Sequence, residues 1–368
     1  MKKFLHKFLL VINYLVIFLL LLSYLSVYIS PESFWPLAFL GLAYPVLIIL
    51  IFIFIVYWLI RKKIKYLLIS FLAVVIGWTH LSNTIQISGR SMDAGADSLP
   101  VIKTMSYNVR VFDLYNWAGN KESHNRIFDF IVDESADIIC FQEFYFDEKG
   151  EFSTIDTLVK IQKAKNYHIK YTEHAADRYH FGAATFSAFP VINRGDVHLE
   201  ETNNICMFTD LDLGYDTIRI YNCHLESIRF QPANYEFLDS IKLKFEEKQI
   251  NEARDIMRKM KNAYIKRAGQ AELIAEHISN SPYPVIVCGD FNDTHMSYAY
   301  HRISKNLEDA FVESGSGTGN TYTGKFPSFR IDFILHGKDM KSYDYTTTKI
   351  RYSDHYPLTC IFTIPDRE

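Results

Sequence analysis

The sequence has few cysteines, and their spacing excludes the common zinc sites. No CxxC pair and no Cys/His zinc spacing occurs. Most of the cysteines lie in apolar, strand-like runs, which is typical of small buried hydrophobic side chains. A disulfide or a reactive thiol is the alternative, so cysteine usage leaves the redox compartment open. Neither the cysteines nor the serines have the arrangement of an activated nucleophile. The five cysteines are Cys140, Cys206, Cys223, Cys288 and Cys360.

A long basic run is also absent after residue 98. Eight of the 39 Lys and Arg residues and three of the 42 Asp and Glu residues lie before residue 99, which leaves 31 basic and 39 acidic residues and a net charge of −8. Non-specific affinity for nucleic acid comes mainly from Lys and Arg that neutralise phosphates. This balance therefore counts against a dedicated DNA-binding surface and leaves only a local basic patch open.

The first part of the chain, by contrast, is rich in long apolar runs. A helix needs about 20 apolar residues to cross a bilayer, and three runs reach or approach that length: Phe8–Ile29, Phe34–Ile60 and Ile64–Leu81. The third is the shortest and contains Gly77 and Thr79. A cleavable signal peptide is the alternative for the first run, but that run is too long and two more follow it. The sequence predicts a membrane anchor of three transmembrane helices over residues 1–81 (about 8–29, 34–60 and 64–81).

Positive charge predicts the orientation of this anchor. Lys2, Lys3 and Lys7 precede the first run and Arg61–Lys65 follows the second, whereas the connection 30–33 has no Lys or Arg. Because cytoplasmic loops carry the excess of Lys and Arg, we expect the N-terminus and the Arg61–Lys65 turn in the cytoplasm. Three spans then bring the rest of the chain out on the opposite side.

After the anchor the composition changes to that of a soluble domain. Residues 82–99, with several Gly, Ser and Asp, are typical of a short flexible linker. In residues 100–368, strand-length apolar runs alternate with helical stretches such as Arg126–Glu134 and Asn251–Ile278, which indicates a layered α/β protein. The strand-like runs are Val101–Tyr107, Ile138–Phe141, Ala183–Phe189, Ile205–Leu211, Thr217–Cys223, Val285–Cys288, Ile331–Leu335 and Leu358–Ile364.

Polar side chains recur at the ends of these runs. Each of them alone is more typical of a solvated strand end or a turn, but strand ends in such folds converge at one edge of a sheet, where sites lie. Mg²⁺ takes oxygen ligands and needs only one or two carboxylates besides the substrate's phosphate, and a histidine can transfer a proton near neutral pH. The polar residues are Asn108, Gln142, Glu143, Asn222, His224, Asp290, Asn292, Asp332, Asp354 and His355.

The order of these motifs resembles the endonuclease/exonuclease/phosphatase superfamily, here of a membrane-anchored bacterial type. That family includes deoxyribonuclease I, apurinic endonucleases, inositol polyphosphate 5-phosphatases and neutral sphingomyelinases. The resemblance covers about residues 103–364 and implies a four-layer α/β sandwich, with two packed mixed sheets flanked by helices. It also implies in-line attack of water on phosphorus with one or two metal ions. The motifs are Ser106-Tyr107-Asn108, Gln142-Glu143, Asn222-Cys223-His224-Leu225, Gly289-Asp290-Phe291-Asn292, Arg330-Ile331-Asp332-Phe333 and Ser353-Asp354-His355-Tyr356-Pro357.

The resemblance implies a role for each matched residue of the metal and phosphate site. Glu143 resembles the principal metal ligand, and Asn108 resembles its neighbour in that site. Asp354 matches a further metal-site ligand. Asp290 and Asn292 match the pair that orients the attacking water and binds the phosphate.

Two histidines complete the implied site. His224 matches the phosphate-contacting histidine, a candidate leaving-group acid, and His355 matches the histidine paired with a carboxylate, here Asp332. One departure concerns Arg110, since apurinic endonucleases carry an acidic residue at this position. Arg110 either binds phosphate or pairs with Asp113, and its presence argues against an apurinic endonuclease.

Three further features are weaker candidates for substrate contacts. His180 precedes a strand and would line the cleft if it faced inward. Tyr322 follows a Gly/Ser/Thr loop, residues 314–320, and would line the substrate site in the same way. The basic stretch Arg254–Arg267 alternates charged and apolar residues, which is more typical of a surface helix packed on a sheet than of phosphate recognition.

Together these features predict a hydrolase of phosphate esters, a phosphodiesterase or phosphatase, that uses Mg²⁺ or alternatively Mn²⁺. We expect an integral inner-membrane protein with an extracytoplasmic catalytic domain. An extracytoplasmic endonuclease or exonuclease acting on DNA or RNA is the enzymatic alternative, and an inactive membrane-tethered binding module is the other. The linker would reach on the order of 25 Å as a flexible coil. This short reach and the net acidity favour a phosphorylated lipid head group or a small-molecule phosphate ester over nucleic acid.

Overall fold

The chain folds into two compact units. A computed structural model describes residues 2–92, 100–117, 122–149, 153–161, 163–199, 202, 204–231, 234, 247–324 and 328–364. The first unit, called here the N-terminal unit, comprises Met1–Ile85, Ile228–Gly269 and Asp293–Arg302. The second, called the sheet unit, comprises Gln86–Ser227, Gln270–Asn292 and Ile303–Glu368.

The N-terminal unit begins with five helices. Two apolar stretches, Lys3–Leu25 and Pro36–Ile60, are long enough to cross a membrane. The third predicted span forms a helix of 13 residues, Ile64–Ile76, which alone covers only about 20 Å. Within the described part of the chain, two apolar helices thus meet the length for a span, and a third crossing stays a prediction. The helices are α1 (Lys2–Leu25), α2 (Pro31–Phe34), α3 (Pro36–Ile60), α4 (Ile64–Ile76) and α5 (Trp78–Ser82).

The sheet unit contains two six-stranded mixed sheets. Their strand orders are β11-β12-β1-β2-β4-β3 and β5-β6-β7-β8-β10-β9. At the centre of each sheet one pair is parallel, β1 with β2 and β7 with β8, while the other pairs are antiparallel. The strands are β1 (Val101–Asn108), β2 (Ile138–Asp147), β3 (Asn166–Ala175), β4 (Tyr179–Ser187), β5 (Val191–Asp196), β6 (Ile205–Asp212), β7 (Thr217–His224), β8 (Val285–Asp290), β9 (Leu307–Asp309), β10 (Asp332–Gly337), β11 (Lys341–Thr347) and β12 (Leu358–Thr363).

Helices cover the outer faces of the two sheets. A buried apolar core between the sheets includes Ile138 and Cys140 from one sheet and Ile220 and Ile286 from the other. Apolar residues of α6 and α7 pack on the outer face of the first sheet. This arrangement confirms the predicted four-layer α/β sandwich. The remaining helices are α6 (Ser123–Glu134), α7 (Thr154–Ile161), α8 (Glu247–Ser279), α9 (Tyr298–Ser304) and α10 (Ala310–Ser314).

The five cysteines are buried in the sheet unit, as the apolar runs around them indicated. Cys206 and Cys223 face each other across β6 and β7, with 3.2 Å between their sulfur atoms. Both are thiols in this structure. Burial and the neighbouring Cys206 thiol raise the pKa of Cys223 well above its usual value. The Cys223 thiol is therefore not activated as a nucleophile.

Part of the predicted linker lies outside the described residues, which include it only from Ser82 to Met92. Gln86 pairs with Gly317 through two backbone hydrogen bonds of 2.9 Å. Arg90 forms an ion pair of 2.6 Å with Glu313, and its carbonyl accepts from the amide of Asp344. Residues 86–92 are therefore part of the sheet unit, and the reach of a free coil does not apply to them.

Candidate active site

The predicted site residues cluster at the carboxyl ends of the two central parallel pairs. Asn108 ends β1 and Glu143 lies in β2, while His224 ends β7 and Asp290 ends β8. The carboxyl ends of parallel neighbours lie at the same edge of a sheet, and packing of the two sheets brings both edges together. The fold therefore explains why residues from four separate motifs meet.

A bulge in β2 separates two neighbouring polar side chains. The pairing of β2 with β4 shifts register between Phe141 and Phe144, and Glu143 has a left-handed φ of 50°. Such a bulge redirects a side chain next to a site. Gln142 remains fully buried and donates to Oδ1 of Asn222 at 2.8 Å, whereas Glu143 reaches the cluster at the strand ends.

Asn108 links the two carboxylates of this cluster. Its amide nitrogen donates to Oδ2 of Asp290 at 3.0 Å and to Oε1 of Glu143 at 3.3 Å. Nε2 of His224 lies 3.8 Å from the same Glu143 oxygen and 3.7 Å from the same Asp290 oxygen. These four side chains thus surround one small volume.

The Gly289–Asn292 motif forms a tight turn after β8. A Cβ atom at Gly289 would lie 2.0 Å from the carbonyl oxygen of Cys223, so only glycine allows β7 and β8 to approach this closely. Asn292 has a φ of 53°, and its backbone amide donates to Oδ1 of Asp290 at 2.8 Å. Its side chain donates to the carbonyl of Leu225 at 3.0 Å. The turn therefore fixes both Asp290 and Asn292.

His355 and Asp332 form the predicted pair. Nδ1 of His355 lies 2.9 Å from Oδ2 of Asp332, and its Nε2 lies 3.7 Å from Oδ2 of Asp290. Burial opposes protonation of the imidazole, but the carboxylates of Asp332 and Asp290 outweigh it and hold the pKa of His355 well above its usual value. Burial raises the pKa of Asp290, an effect that the charges of His355 and His224 oppose.

Asp354 forms an ion pair with Arg110, and its role as a metal ligand stays a prediction. Its Oδ2 lies 3.4 Å from Nε of Arg110. Arg110 therefore pairs with Asp354 and not with Asp113, and its guanidinium also stacks 4.3 Å over the ring of Trp117. Arg110 to Asp113 all have φ values between 45° and 56°. This conformation costs about 1–2 kcal/mol per residue in L-amino acids and brings Arg110 beside the site.

A comparison of the sequence with known protein families agrees with this arrangement of residues. Residues 105–355, more than half of the chain, match the endonuclease/exonuclease/phosphatase family. The chain belongs to this family. Members of the family hydrolyse phosphate esters and depend on divalent metal ions. Residues 6–84 match a second family, a domain of unknown function (DUF8431), and no curated protein matches the chain.

Solved structures of the endonuclease/exonuclease/phosphatase family share this fold at low sequence identity. A family protein from Beutenbergia cavernae is 13% identical, with a TM-score of 0.51 and 72% of each chain covered. Another, from Bacteroides thetaiotaomicron, is 18% identical, with a TM-score of 0.50 and coverage of 73% of this chain and 99% of that one. A humanized D. rerio TDP2 is 13% identical, with a TM-score of 0.50 and coverage of 72% and 99%.

The site of this family member has donors suited to a divalent cation. Within the described residues, Asp290, Asp332 and His355 form the one acidic and histidine group whose ligand atoms all lie within 4.8 Å of one another. Nε2 of His224 is buried, has no hydrogen-bond partner among the residues that the structure describes, and lies beside Glu143 and Asp290. A buried polar atom of this kind usually has an unseen partner. The residues present therefore fit a bound ion with its phosphate.

Two weaker candidates differ in their relation to the site. The ring of Tyr322 lies 5.3 Å from that of His355, so Tyr322 does border the cluster. His180 is buried between His174 and Glu148, at 2.7 Å and 3.0 Å, and forms a separate polar group on the first sheet. The sequence did not identify the bridging role of Asn108 or the inter-sheet role of Asn222, although both residues stand in the motifs.

Proposed function

We propose that this chain is a Mg²⁺-dependent hydrolase of phosphate esters, with Mn²⁺ as the alternative ion. The observation that carries the proposal is the meeting of Glu143, Asn108, Asp290 and His224 in one volume, beside the His355–Asp332 pair. Carboxylate and carboxamide oxygens are the ligands that Mg²⁺ prefers. Glu143 is the side chain best placed to hold the ion. It is 38% exposed, so its carboxylate can reach an incoming substrate.

Each side chain has a specific role in the proposed reaction. A bound divalent ion would supply charge neutralisation at the phosphoryl oxygens. Asp290 orients the attacking water and accepts its proton, and burial favours this by raising the pKa of the carboxyl group. Asn292 and His224 bind phosphate oxygens, and His224 protonates the leaving group. Asp332 fixes the ring of His355, whose positive charge stabilises the developing negative charge.

The proposed membrane insertion is supported by contacts along α1. The ring of His6 lies 6.0 Å from that of Tyr66 at the start of α4, and the ring of Tyr24 lies 5.1 Å from that of His80 in α5. Between them, Ser70 donates to Asn13 at 3.1 Å. From residue 6 to residue 24, α1 rises about 27 Å. Helices α4 and α5 together therefore accompany α1 over nearly the thickness of a bilayer core, which supports a third crossing.

The proposed orientation is supported at the end of the helices away from Arg61–Lys65. At that end the hydroxyl of Ser26 donates to the carbonyl of Met296 at 2.8 Å. Met296 follows Asn292 by four residues in the sequence, which supports a catalytic motif on the same side of the membrane as the end of α1. Since the Arg61–Lys65 turn is expected in the cytoplasm, the motif is extracytoplasmic.

We propose a phosphorylated lipid head group or a small-molecule phosphate ester as the substrate. A net charge of −8 after residue 98 disfavours a polyanion, because each unneutralised phosphate repels acidic side chains. An extracytoplasmic nuclease is the alternative, and family membership favours it because the family includes nucleases.

A substrate assay on the full-length protein in nanodiscs tests the proposal. Bis(p-nitrophenyl) phosphate, phosphatidylglycerol vesicles and plasmid DNA would be incubated with the protein in Mg²⁺, in Mn²⁺ and in EDTA, with Glu143→Gln as the negative control. We expect metal-dependent release from the phosphate ester and little nicking of DNA. Rapid nicking would establish the nuclease, and absence of any metal-dependent turnover would reject the hydrolase.

A further inference from the structure

The chain passes from one unit to the other directly after the catalytic motif. Asn292 is the last residue of its segment in the sheet unit, and Asp293 is the first residue of its segment in the N-terminal unit. Up to Asn292 the turn is fixed by bonds within the sheet unit, such as that from the amide of Phe291 to the carbonyl of Ile331 at 2.9 Å. After it, contacts within the N-terminal unit hold residues 293–302, called here the buttress loop.

The buttress loop is seated on the first two apolar helices through Met296. Met296 is buried, with 1% of its surface exposed, and belongs to the apolar core of the helices. Its carbonyl accepts the hydrogen bond from Ser26, which follows α1. A Cβ atom at Gly41 in α3 would lie 2.5 Å from the same carbonyl oxygen. Only glycine at position 41 leaves room for this backbone, so the contact between α3 and the buttress loop depends on that glycine.

Three further contacts come from different parts of the helical segment. Nε2 of His295 lies 2.9 Å from Oγ1 of Thr84, which follows α5, and its ring meets that of Tyr44 edge-on at 6.2 Å. The ring of His301 meets that of Tyr28 at 4.8 Å. The connection between α1 and α3, the first turns of α3 and the end of the segment therefore all contact the buttress loop.

The first residue of the loop is fixed by a buried ion pair. Oδ2 of Asp293 lies 3.0 Å from Nε of Arg267, and these side chains are 6% and 1% exposed. Arg267 lies in α8, and the neighbouring Tyr264 packs edge-on against Phe39 of α3 with 5.4 Å between ring centroids. Asp293 is thus tied to the same group of helices one residue after Asn292.

We propose that the N-terminal helices position the catalytic turn Asp290–Asn292 through the buttress loop. Ser26, Gly41 and Thr84 are then positioning residues. This inference rests on the proposed hydrolase function. Four peptide units separate Asn292 from Met296, so a shift of Met296 passes along a short, fixed stretch of chain to Asn292. A displacement of about 1 Å at reacting groups can lower the rate 100-fold. The N-terminal helices would therefore affect the rate of the reaction in addition to anchoring the protein.

The test uses full-length variants in nanodiscs with bis(p-nitrophenyl) phosphate, a soluble substrate that removes any effect of membrane access. Gly41→Ala places a methyl group against the Met296 carbonyl, and Ser26→Ala removes one hydrogen bond to it. Ser70→Ala is the matched control, because it removes a buried hydroxyl whose partner, Asn13, lies within the helices. The measurements are kcat, the inhibition constant of inorganic phosphate and the melting temperature.

We expect Gly41→Ala to lower kcat by about tenfold and to raise the inhibition constant of phosphate by a similar factor, with a smaller effect of Ser26→Ala. Loss of folded protein would lower the rate but leave the inhibition constant unchanged, so this constant separates positioning from mere stability. If Gly41→Ala does not fold, Ser26→Ala decides. Folded variants with the parent's inhibition constant and kcat would overturn the inference, whereas a parent without metal-dependent turnover would overturn the proposed function instead.

Discussion

Nδ1 of His355 lies 2.9 Å from Oδ2 of Asp332, while Nε2 of the same ring lies 3.7 Å from Oδ2 of Asp290. The imidazole therefore bridges a carboxylate that fixes it and a carboxylate of the catalytic turn. Asp332 and Asp290 are themselves register partners on β10 and β8. The backbone pairing of two strands thus sets the geometry of three side chains.

This pairing predicts graded effects of substitution. His355→Ala should lower kcat by on the order of 10²–10⁴ because it removes the positive charge that stabilises the developing negative charge, and Asp332→Asn should have a smaller effect through loss of orientation. His224→Ala should also strongly reduce turnover. Rates would be measured with a soluble phosphodiester, with His180→Ala as the control away from the cluster. Near-normal rates in both His224→Ala and His355→Ala would remove the proton-transfer and phosphate-binding roles together.

A second prediction concerns the metal ion and Glu143. Glu143→Gln keeps the shape of the side chain but removes the charge that attracts the cation, so we expect activity to fall by several orders of magnitude. The matched control is Glu148→Gln, which removes an exposed carboxylate that directly follows the same strand and pairs with His180. Isothermal titration with Mg²⁺ should show weaker binding in the first variant only. A fully active Glu143→Gln enzyme would disprove the assignment.

The hydrogen bonds of Asn222 predict that this residue contributes to the free energy of unfolding and has no direct role in the reaction. Its amide nitrogen donates across the core to the carbonyls of Phe141 and Ala184, at 3.1 and 3.0 Å. Asn222→Leu would leave these buried groups unpaired and should lower the free energy of unfolding by about 3 kcal/mol. Thermal unfolding in detergent would measure this. Asn166→Leu, which removes a single bond to Ser187 at the sheet edge, should change stability little; equal effects would contradict the inter-sheet role.

The carboxylate of Glu313 predicts a pH-dependent contribution to stability. Burial raises its pKa, but hydrogen bonds from His336 and from the side chain and backbone of Ser342 outweigh burial and lower the pKa to about 2. The folded pKa lies below the unfolded value, so the stabilisation is complete above about pH 4.5 and is lost as the pH falls toward 2. After a discount for solvent screening of this partly exposed group, it amounts to on the order of 2 kcal/mol.

The test of this contribution compares melting temperatures of the parent and Glu313→Gln between pH 7 and pH 3. Glu313→Gln should melt lower at pH 7, and the difference should shrink as the pH falls below 4.5. Asp344→Asn, on the neighbouring strand β11, is the control for a general loss of acidic charge. A difference that stays constant over this range would show that Glu313 contributes through packing and not through its charge.

The orientation of the chain gives a further prediction. Protease added to intact spheroplasts should digest a tag at the C-terminus, because the proposed three crossings with Arg61–Lys65 inside would leave the catalytic domain outside. A single cysteine at position 62, added by Lys62→Cys, should resist a membrane-impermeant maleimide. The buried native cysteines serve as the background in this labelling. Protection of the tag would mean two crossings or the reverse orientation.

The sequence predicted the inner strands of both sheets and missed their edges. Each of the eight predicted runs overlaps a strand, and all eight lie inside the sheets. The four missed strands, β3, β5, β9 and β11, are the four edges. Edge strands face solvent on one side and carry polar or charged residues, as in Asn193-Arg194 of β5. Hydrophobic runs in the sequence therefore identify central strands and fail to identify edge strands.

The candidate site was predictable in its members but not in its connections. The motifs gave Asn108, Glu143 and Asp290, whereas the Asn108 bridge depends on two sheets meeting face to face. The same limit applies to Arg110, because Asp113 is its neighbour in sequence and Asp354 is its neighbour in space. Local spacing carries no information about which distant strand end lies opposite, so such pairs need the structure.

The connection between β7 and β8 has a consequence for how the protein folds. The chain leaves β7 at His224 and enters β8 at Val285, and the intervening segment Ile228–Gly269 belongs to the N-terminal unit. Parallel pairing of these strands requires closure of this long crossover, which costs chain entropy before any contact repays it. If the N-terminal helices insert as proposed, they would offer that segment a docking surface and shorten the search. The second sheet would then assemble only after translocation. A translocated chain would remain inactive until its helices had inserted into the bilayer.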